Sequence, residues 1–309
     1  MTTYIVLVNW NGWRDTIECL ESVARLRHPN FQVVLCDNGS ADDSVARIDE
    51  WTKDHMKDRF TLLRSDKNLG FAGGNNIALH YILEKGDHDY VWLLNNDTVV
   101  DPGALSALVE RMKEDPEIGI CGSRVIFYFE PSLIQVYGGS SHNPLTGKSR
   151  HIGGFHSVEE RESRADVEKR LGYVYGASML VSRRFLADIG MMNEEYFLSY
   201  EEIDWATRAK GRFKLGYAPG SRVFHKQGRS SGYRELARNR DPQESYLASD
   251  FLGIRNQLLF TRRYYPHYVP FVMLTCLNRL LKRVGSGKWE RARAVVRGMA
   301  AGFNGKPYP

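Results

Sequence analysis

The first hundred residues alternate short apolar runs with amphipathic stretches, a pattern that suits a mostly parallel sheet covered by helices. Strands are expected at residues 4–8, 32–36, 60–64 and 90–94, and helices at 15–26, 42–51 and 75–83. Ser40 to Asp43 offer N-cap chemistry to the second helix, and Gly73 and Gly74 precede the third. Repeated βα winding makes this an α/β chain. With 42% hydrophobic and 26% charged residues, composition excludes disorder, collagen and coiled coil, and 309 residues allow one large domain with an appendage.

Beyond Asp97 the pattern loosens. A helix is expected at 102–114, strands at 118–122 and 124–129, and a mobile loop over 138–170, where Gly, Ser, His, Asn and Pro cluster before a charged half. An apolar run at 174–181, a helix at 201–209 and strands at 213–217 and 222–225 form a second ordered block. From about Phe251 the chain reads as helical and basic: eleven Lys and Arg stand against Glu290 alone from Arg255 onward, whereas the 254 residues before carry 31 basic and 36 acidic ones. Such a tail, with aromatic and apolar residues between its cations, suits an anionic membrane surface; the alternative is a helical hairpin packed on the rest of the chain. With no reader motif, nucleic acid is not expected as a partner. The four widely spaced cysteines lack a Cys-x-x-Cys pattern and fit a reducing cytoplasm. The N-terminal run lacks the basic lead of a signal peptide, and no apolar stretch reaches the ~20 residues of a membrane span.

Four segments carry chemistry. Val33-Val-Leu-Cys-Asp-Asn-Gly-Ser40 ends a strand in Asp37, where open α/β sheets bind ligands; a capping turn is the other reading. Asn68-Leu-Gly-Phe-Ala-Gly-Gly-Asn-Asn76 is a glycine-rich loop that brings backbone amides to a diphosphate, or else a helix start that needs glycine for steric reasons. Val91-Trp-Leu-Leu-Asn-Asn-Asp97 ends in a carboxylate suited to a hard divalent cation or to a turn. Glu201, Glu202 and Asp204 open a helix as a catalytic cluster or as a solvated first turn with Asp204 paired to Arg208, and the next strand segment ends in His225.

Taken in order, Val8-Asn-Trp-Asn-Gly12, Cys36-Asp-Asn-Gly-Ser40, the 68–76 loop, Leu94-Asn-Asn-Asp97, Phe197-Leu-Ser-Tyr-Glu-Glu-Ile-Asp204 and His225 resemble the inverting family 2 glycosyltransferases, more closely the bacterial rhamnosyltransferase-like branch. The resemblance covers about residues 3–230. It implies a GT-A fold over 1–250, with a nucleotide-binding half at 1–100 and an acceptor-side half at 101–250, followed by a basic helical extension at 251–309. It implies that Asn9, Asn11, Asp37, Asn38, Asn68, Gly70, Phe71, Gly73, Asn75, Asn76, Asn95 and Asn96 line a nucleotide-sugar site, with Asp37 at the base. Asp97 and His225 would hold Mg²⁺ or Mn²⁺, and Glu202 would be the general base, with Glu201 or Asp204 in reserve. Two positions depart from the family pattern: Asn95 stands where the metal motif begins with Asp, and Glu202 where Asp is commoner. The implied donor is dTDP-rhamnose, or a UDP-sugar carrying galactose or N-acetylglucosamine. The implied acceptor is a cell-surface glycan or a polyprenyl-linked oligosaccharide at the inner face of the membrane. An inactive nucleotide-sugar-binding scaffold is the reading from another class.

Overall fold

The computed structural model describes residues 1–226 and 242–305. Residues 227–241 of the expected acceptor-side half and Lys306 of the basic tail lie outside the described residues. In chain order the elements are β1 (Thr3–Asn9), α1 (Trp13–Ala24), β2 (Phe31–Asn38), α2 (Ser44–His55), β3 (Phe60–Ser65), α3 (Gly70–Lys85), β4 (Tyr90–Leu94), β5 (Thr98–Val100), α4 (Ala104–Glu114), β6 (Ile118–Phe127) and β7 (Ile134–Tyr137). They continue with β8 (Gly139–Asn143), β9 (Lys148–His151), α5 (Arg164–Arg170), β10 (Tyr173–Val174), β11 (Ser178–Ser182), α6 (Arg183–Ile189), α7 (Glu201–Ala209), β12 (Lys214–His225), α8 (Pro242–Tyr264), α9 (Val269–Gly285) and α10 (Trp289–Asn304).

A nine-stranded sheet runs β3-β2-β1-β4-β11-β6-β12-β5, with β7 on β6. Strands β3, β2, β1 and β4 are parallel, as are β6 and β12, while β11, β5 and β7 run antiparallel to their neighbours. Alternation along each strand loads both faces. On β1, Ile5 and Leu7 join a core with Leu20, Ile48 and Leu108, while Tyr4 and Val6 join another with Leu79, Phe185 and Trp205. The four thiols, Cys19, Cys36, Cys121 and Cys276, are buried and unpaired.

The strand ends that matter face one way. The carboxyl ends of β1, β2, β4, β6 and β12 share an edge with the starts of β5, β7 and β11, because those three run in the opposite direction. Open α/β sheets bind their ligands at such an edge.

Several sequence expectations need correction. The glycine-rich segment is not a loop before a helix; α3 already begins at Gly70. A Cβ on Gly74 would come within 2.7 Å of Val8 Cγ1, so this glycine lets α3 lie close on the sheet. The two strands expected at 118–122 and 124–129 form the single β6, and those at 213–217 and 222–225 form β12, which stays continuous through a register shift between Ala218 and Arg222. The apolar run at 174–181 is interrupted by a turn between β10 and β11. The expected loop at 138–170 contains β8, β9 and α5. Its glycines serve close strand contact: a Cβ on Gly139 would sit 2.0 Å from the Tyr173 carbonyl. Two of its polar groups are engaged in the fold. Ser163 caps α5 by accepting from Asp166 N at 3.2 Å, and Glu168 takes a two-armed bond from Arg111 at 2.9 and 3.0 Å and another from Tyr217 N at 2.9 Å.

The chain divides into two compact units. One holds the nine-stranded sheet. The other consists of residues 142–149, 195–201 and the helices from α8 onward. In this second unit Ile254, Leu258, Val272, Cys276 and Val295 form a small core. Glycines at 298 and 302 let α10 approach the α8 backbone closely, since their Cβ atoms would meet Phe251 O at 2.6 Å and Arg255 O at 2.9 Å. Buried Asp250 collects Arg283 and Arg291, which hold its carboxyl below the ordinary range despite burial. While α9 buries Val272 and Cys276, it exposes Phe271, Leu274, Leu277 and Leu281.

Candidate active site

Polar residues at the carboxyl edge of the sheet form two groups. On the β1–β2 side, the buried Asp37 carboxylate accepts from Asn9 Nδ2 at 2.8 Å, Ser40 Oγ at 2.7 Å and Ser40 N at 3.0 Å. Asn9 in turn accepts from Thr16 Oγ1, which accepts from Asn96 Nδ2, both at 2.8 Å. This chain joins β2, β1, α1 and the turn after β4. Thr16 escaped the sequence reading, in which it was only one residue of a helix. Asn11, with φ 51°, holds the turn at 40–41 by accepting from Ala41 N at 2.8 Å.

The asparagines around the glycine segment are also engaged. Asn38 donates to Asn68 Oδ1 and Gly70 O and accepts from Leu69 N, and Asn68 accepts from Gly70 N at 2.8 Å. Asn75 donates to Phe71 O, and Asn76 brackets the segment beyond α6 through Met192 N, Met192 O and Glu194. Gly73 lies within the first turn of α3. Phe71 packs against the core on that face. For this stretch of asparagines the polar atoms fix the backbone, and the amides of Leu69 and Gly70 at the helix start are among the groups they satisfy.

The second group lies where β5 pairs with β12. Register places His225 opposite Thr98, and Lys226 N donates to Asp97 O at 2.9 Å, so His225 Nε2 stands 3.2 Å from Asp97 Oδ1. Asn95 belongs to the same turn through its backbone, N to Ala177 O and O from Thr98 Oγ1. Burial pushes the Asp97 carboxyl upward, but the facing imidazole, its hydrogen bonds and Lys226 outweigh this and hold it below its usual range. Lys226 itself is tied to Asp15 at 2.8 Å and Glu18 at 2.5 Å. Two ligands on neighbouring corners of an octahedral ion, at bonds of about 2.1 Å, lie about 3 Å apart, so this carboxylate and imidazole suit one divalent cation. Among the described residues no third His, Cys, Asp or Glu completes a protein-only cage. The remaining positions would fall to phosphate oxygens and water.

Glu202, in the first turn of α7, accepts from the backbone amide of Gly176. Burial raises its carboxyl to about 7, although these amides pull the other way. A Cβ on Gly176 would strike Glu202 Oε1 at 2.3 Å, so only glycine lets the carboxylate rest there. The neighbouring Tyr175 ring lies edge-on to His225 at 6.0 Å, and its hydroxyl meets Gln135 Nε2 at 2.9 Å. The dipeptide 175–176 therefore touches the surroundings of His225 with a side chain and Glu202 with its backbone. Sequence reasoning missed Tyr175, Gly176 and Gln135; the available signals were a glycine inside the apolar run at 174–181 and a lone glutamine between Ile134 and Val136.

The other two acids of the cluster differ. Asp204, fully buried, accepts from Arg208 Nε at 2.8 Å, and Arg208 also bonds Ile189 O and Met191 O at 2.7 Å, stitching α7 to the end of α6. Glu201 is buried at the start of the helix.

A covered sheet of this topology has the GT-A fold, as its solved neighbours show. The model for glycosyl transferase family 2 matches residues 4–186, more than half of the chain, so the chain belongs to that family and is a glycosyltransferase. It is 27% identical over 268 residues to the N-acetylglucosaminyl-diphospho-decaprenol L-rhamnosyltransferase of Mycobacterium tuberculosis, covering 79% of this chain and 80% of that one. A low-salt glycan biosynthesis hexosyltransferase of Haloferax volcanii is 24% identical over 206 residues, which are 67% of this chain and 61% of the relative. In structure the chain is similar to a Pyrobaculum calidifontis mannosyltransferase in complex with GDP-Man and Mn²⁺ (TM-score 0.59, 12% identity, 97% of this chain and 86% of that one). It is also similar to S. aureus TarS 1-349 in complex with UDP-GlcNAc (TM-score 0.52, 12% identity, 100% and 93%).

Proposed function

We propose that the chain is an inverting, divalent-metal-dependent transferase that moves a sugar, L-rhamnose by its similarity to the mycobacterial relative, from a nucleoside-diphosphate donor, dTDP-rhamnose by the motif resemblance, onto a hydroxyl of a polyprenyl-linked or cell-surface glycan. The observation that carries this reading is the 175–176 dipeptide, which joins the Asp97–His225 pair to a carboxylate poised near neutrality. Residues 1–100 serve as the nucleotide half, with Asp37 and Asn9 at the base and the start of α3 toward the diphosphate. Asp97 and His225 hold Mg²⁺ or Mn²⁺, which when bound offsets the charge of the departing nucleoside diphosphate. With neutral Asn95 in the metal motif, cation affinity depends on the nucleotide.

Glu202 takes the proton of the acceptor hydroxyl as that oxygen attacks the sugar on the face opposite the leaving group. One bond forms as the other breaks, so the anomeric centre inverts. A carboxyl near 7 is a stronger base than an ordinary one and is still half ionised at neutral pH. Asp204 is committed to Arg208, which favours Glu202 over it as the base.

The exposed apolar side of α9, with Lys282 and Arg279 beside it, supports peripheral attachment to an anionic membrane surface. Among the described residues no helix is long and apolar enough to cross a membrane.

The first test is calorimetric binding of dTDP, UDP and GDP with and without Mn²⁺. Metal-dependent binding that prefers dTDP supports the rhamnose donor, a preference for UDP moves the donor to the galactose or N-acetylglucosamine type, and no binding to any of them overturns the proposed nucleotide-sugar site. Co-sedimentation with vesicles containing anionic lipid tests attachment, and failure to sediment removes it.

A further inference from the structure

Gln135 is 1% exposed on β7, between two buried aliphatic residues. A primary amide in such a place costs stability unless both its ends are bonded. Both are: Oε1 lies 2.9 Å from His225 Nδ1, and Nε2 lies 2.9 Å from the Tyr175 hydroxyl. The amide oxygen can only accept, so the proton between the two side chains sits on Nδ1. The nitrogen left facing Asp97 is then Nε2, at 3.2 Å, the one whose lone pair a cation at Asp97 would take. The amide nitrogen can only donate, so the Tyr175 oxygen accepts and the hydroxyl proton stays available to another group.

We infer that Gln135 is a positioning residue that selects the Nδ1–H tautomer of His225 and so presents Nε2 to a divalent cation at Asp97. The inference rests on the proposed metal site and deepens it. Turning the amide by 180° would reverse every bond in the row: Gln135 would donate to Nδ1, the proton would move to Nε2, and the cation would meet N–H in place of a lone pair. A leucine could not orient the ring, whereas a glutamate would still accept from Nδ1.

The test has two parts. Long-range ¹H–¹⁵N NMR of the full chain with Mg²⁺ and the best-bound nucleoside diphosphate reads the tautomer directly: Nδ1–H is expected, and Nε2–H overturns the inference. Calorimetry then measures Mn²⁺ affinity in the presence of the best-bound nucleoside diphosphate. Gln135→Leu should weaken Mn²⁺ by about 10–100-fold, the usual cost of losing the group that orients a ligand histidine. Gln135→Glu should restore most of it, and Gln135→Leu should add nothing to His225→Ala. Unchanged affinity in Gln135→Leu, or additive losses, overturns the inference and leaves the metal site standing. A wild-type chain that binds no Mn²⁺ with any nucleotide removes both. If Gln135→Leu does not fold, the wild-type spectrum and Gln135→Glu decide.

Discussion

The two halves of the sheet's carboxyl edge use polar atoms in opposite ways. On the asparagine side, Asn38, Asn68, Asn75 and Asn76 spend their amides on the backbone, so their work is to hold a shape. On the acid and imidazole side, Asp97, His225 and Glu202 are themselves held, by a strand register, a buried glutamine and a glycine amide. A side chain's chemical type does not say which kind it is; its partners do. Mutations on the first side should act through stability and on the second through chemistry.

The largest expected effect is that of Glu202→Gln. Transfer should fall by about 10²–10⁴-fold, the usual worth of a general base, with nucleotide affinity nearly unchanged by calorimetry. Full activity would take Glu202 out of the mechanism. Asp97→Ala should abolish the metal dependence of nucleotide binding, and retained dependence would break the contrast at its centre. Gly176→Ala sharpens the comparison, because the clash falls on the movable end of Glu202: kcat/KM should drop by up to about 100-fold, as for a misplaced catalytic group, while Tm hardly moves. A large loss of Tm would make Gly176 a folding residue instead. Asn38→Ala should do the reverse, costing about 2 kcal/mol in denaturant unfolding through its lost buried bonds while kcat changes little.

The smallest effect is one of pH. The folded chain holds the Glu202 proton up to about 7, whereas the unfolded chain releases it near 4.5. Between those values the folded state binds more protons. This group's contribution to stability is therefore complete below about 4.5 and is lost as pH rises through about 7. Glu202→Gln should thus gain in Tm over wild type above that window and not below it. The acidic limb of kcat/KM in wild type should fall near the same upper value.

Much of this was legible in the sequence. The apolar runs and helix patterns gave β1 to β4, α1 and α2 within a few residues, because local pattern and burial agree there, but not the glycine-rich first five residues of α3. The pairing of Asp204 with Arg208 could be read from spacing alone. The segment at 138–170 was misread because glycine and serine mark flexibility and close strand contact alike, and only the neighbouring β10 distinguishes them. Gln135 was invisible for a related reason: its partners lie 40 and 90 residues away in sequence.

The four buried thiols have a practical consequence. Burial raises Cys19 and Cys36 to about 12 and Cys276 to about 11, so the folded chain presents almost no thiolate near neutrality. Each can react with a labelling reagent only when the structure around it opens. Cys36 on β2 and Cys276 on α9 lie in different units, which makes their labelling rates two separate clocks, one for the opening of the sheet and one for the opening of the helical unit, built into the unaltered protein.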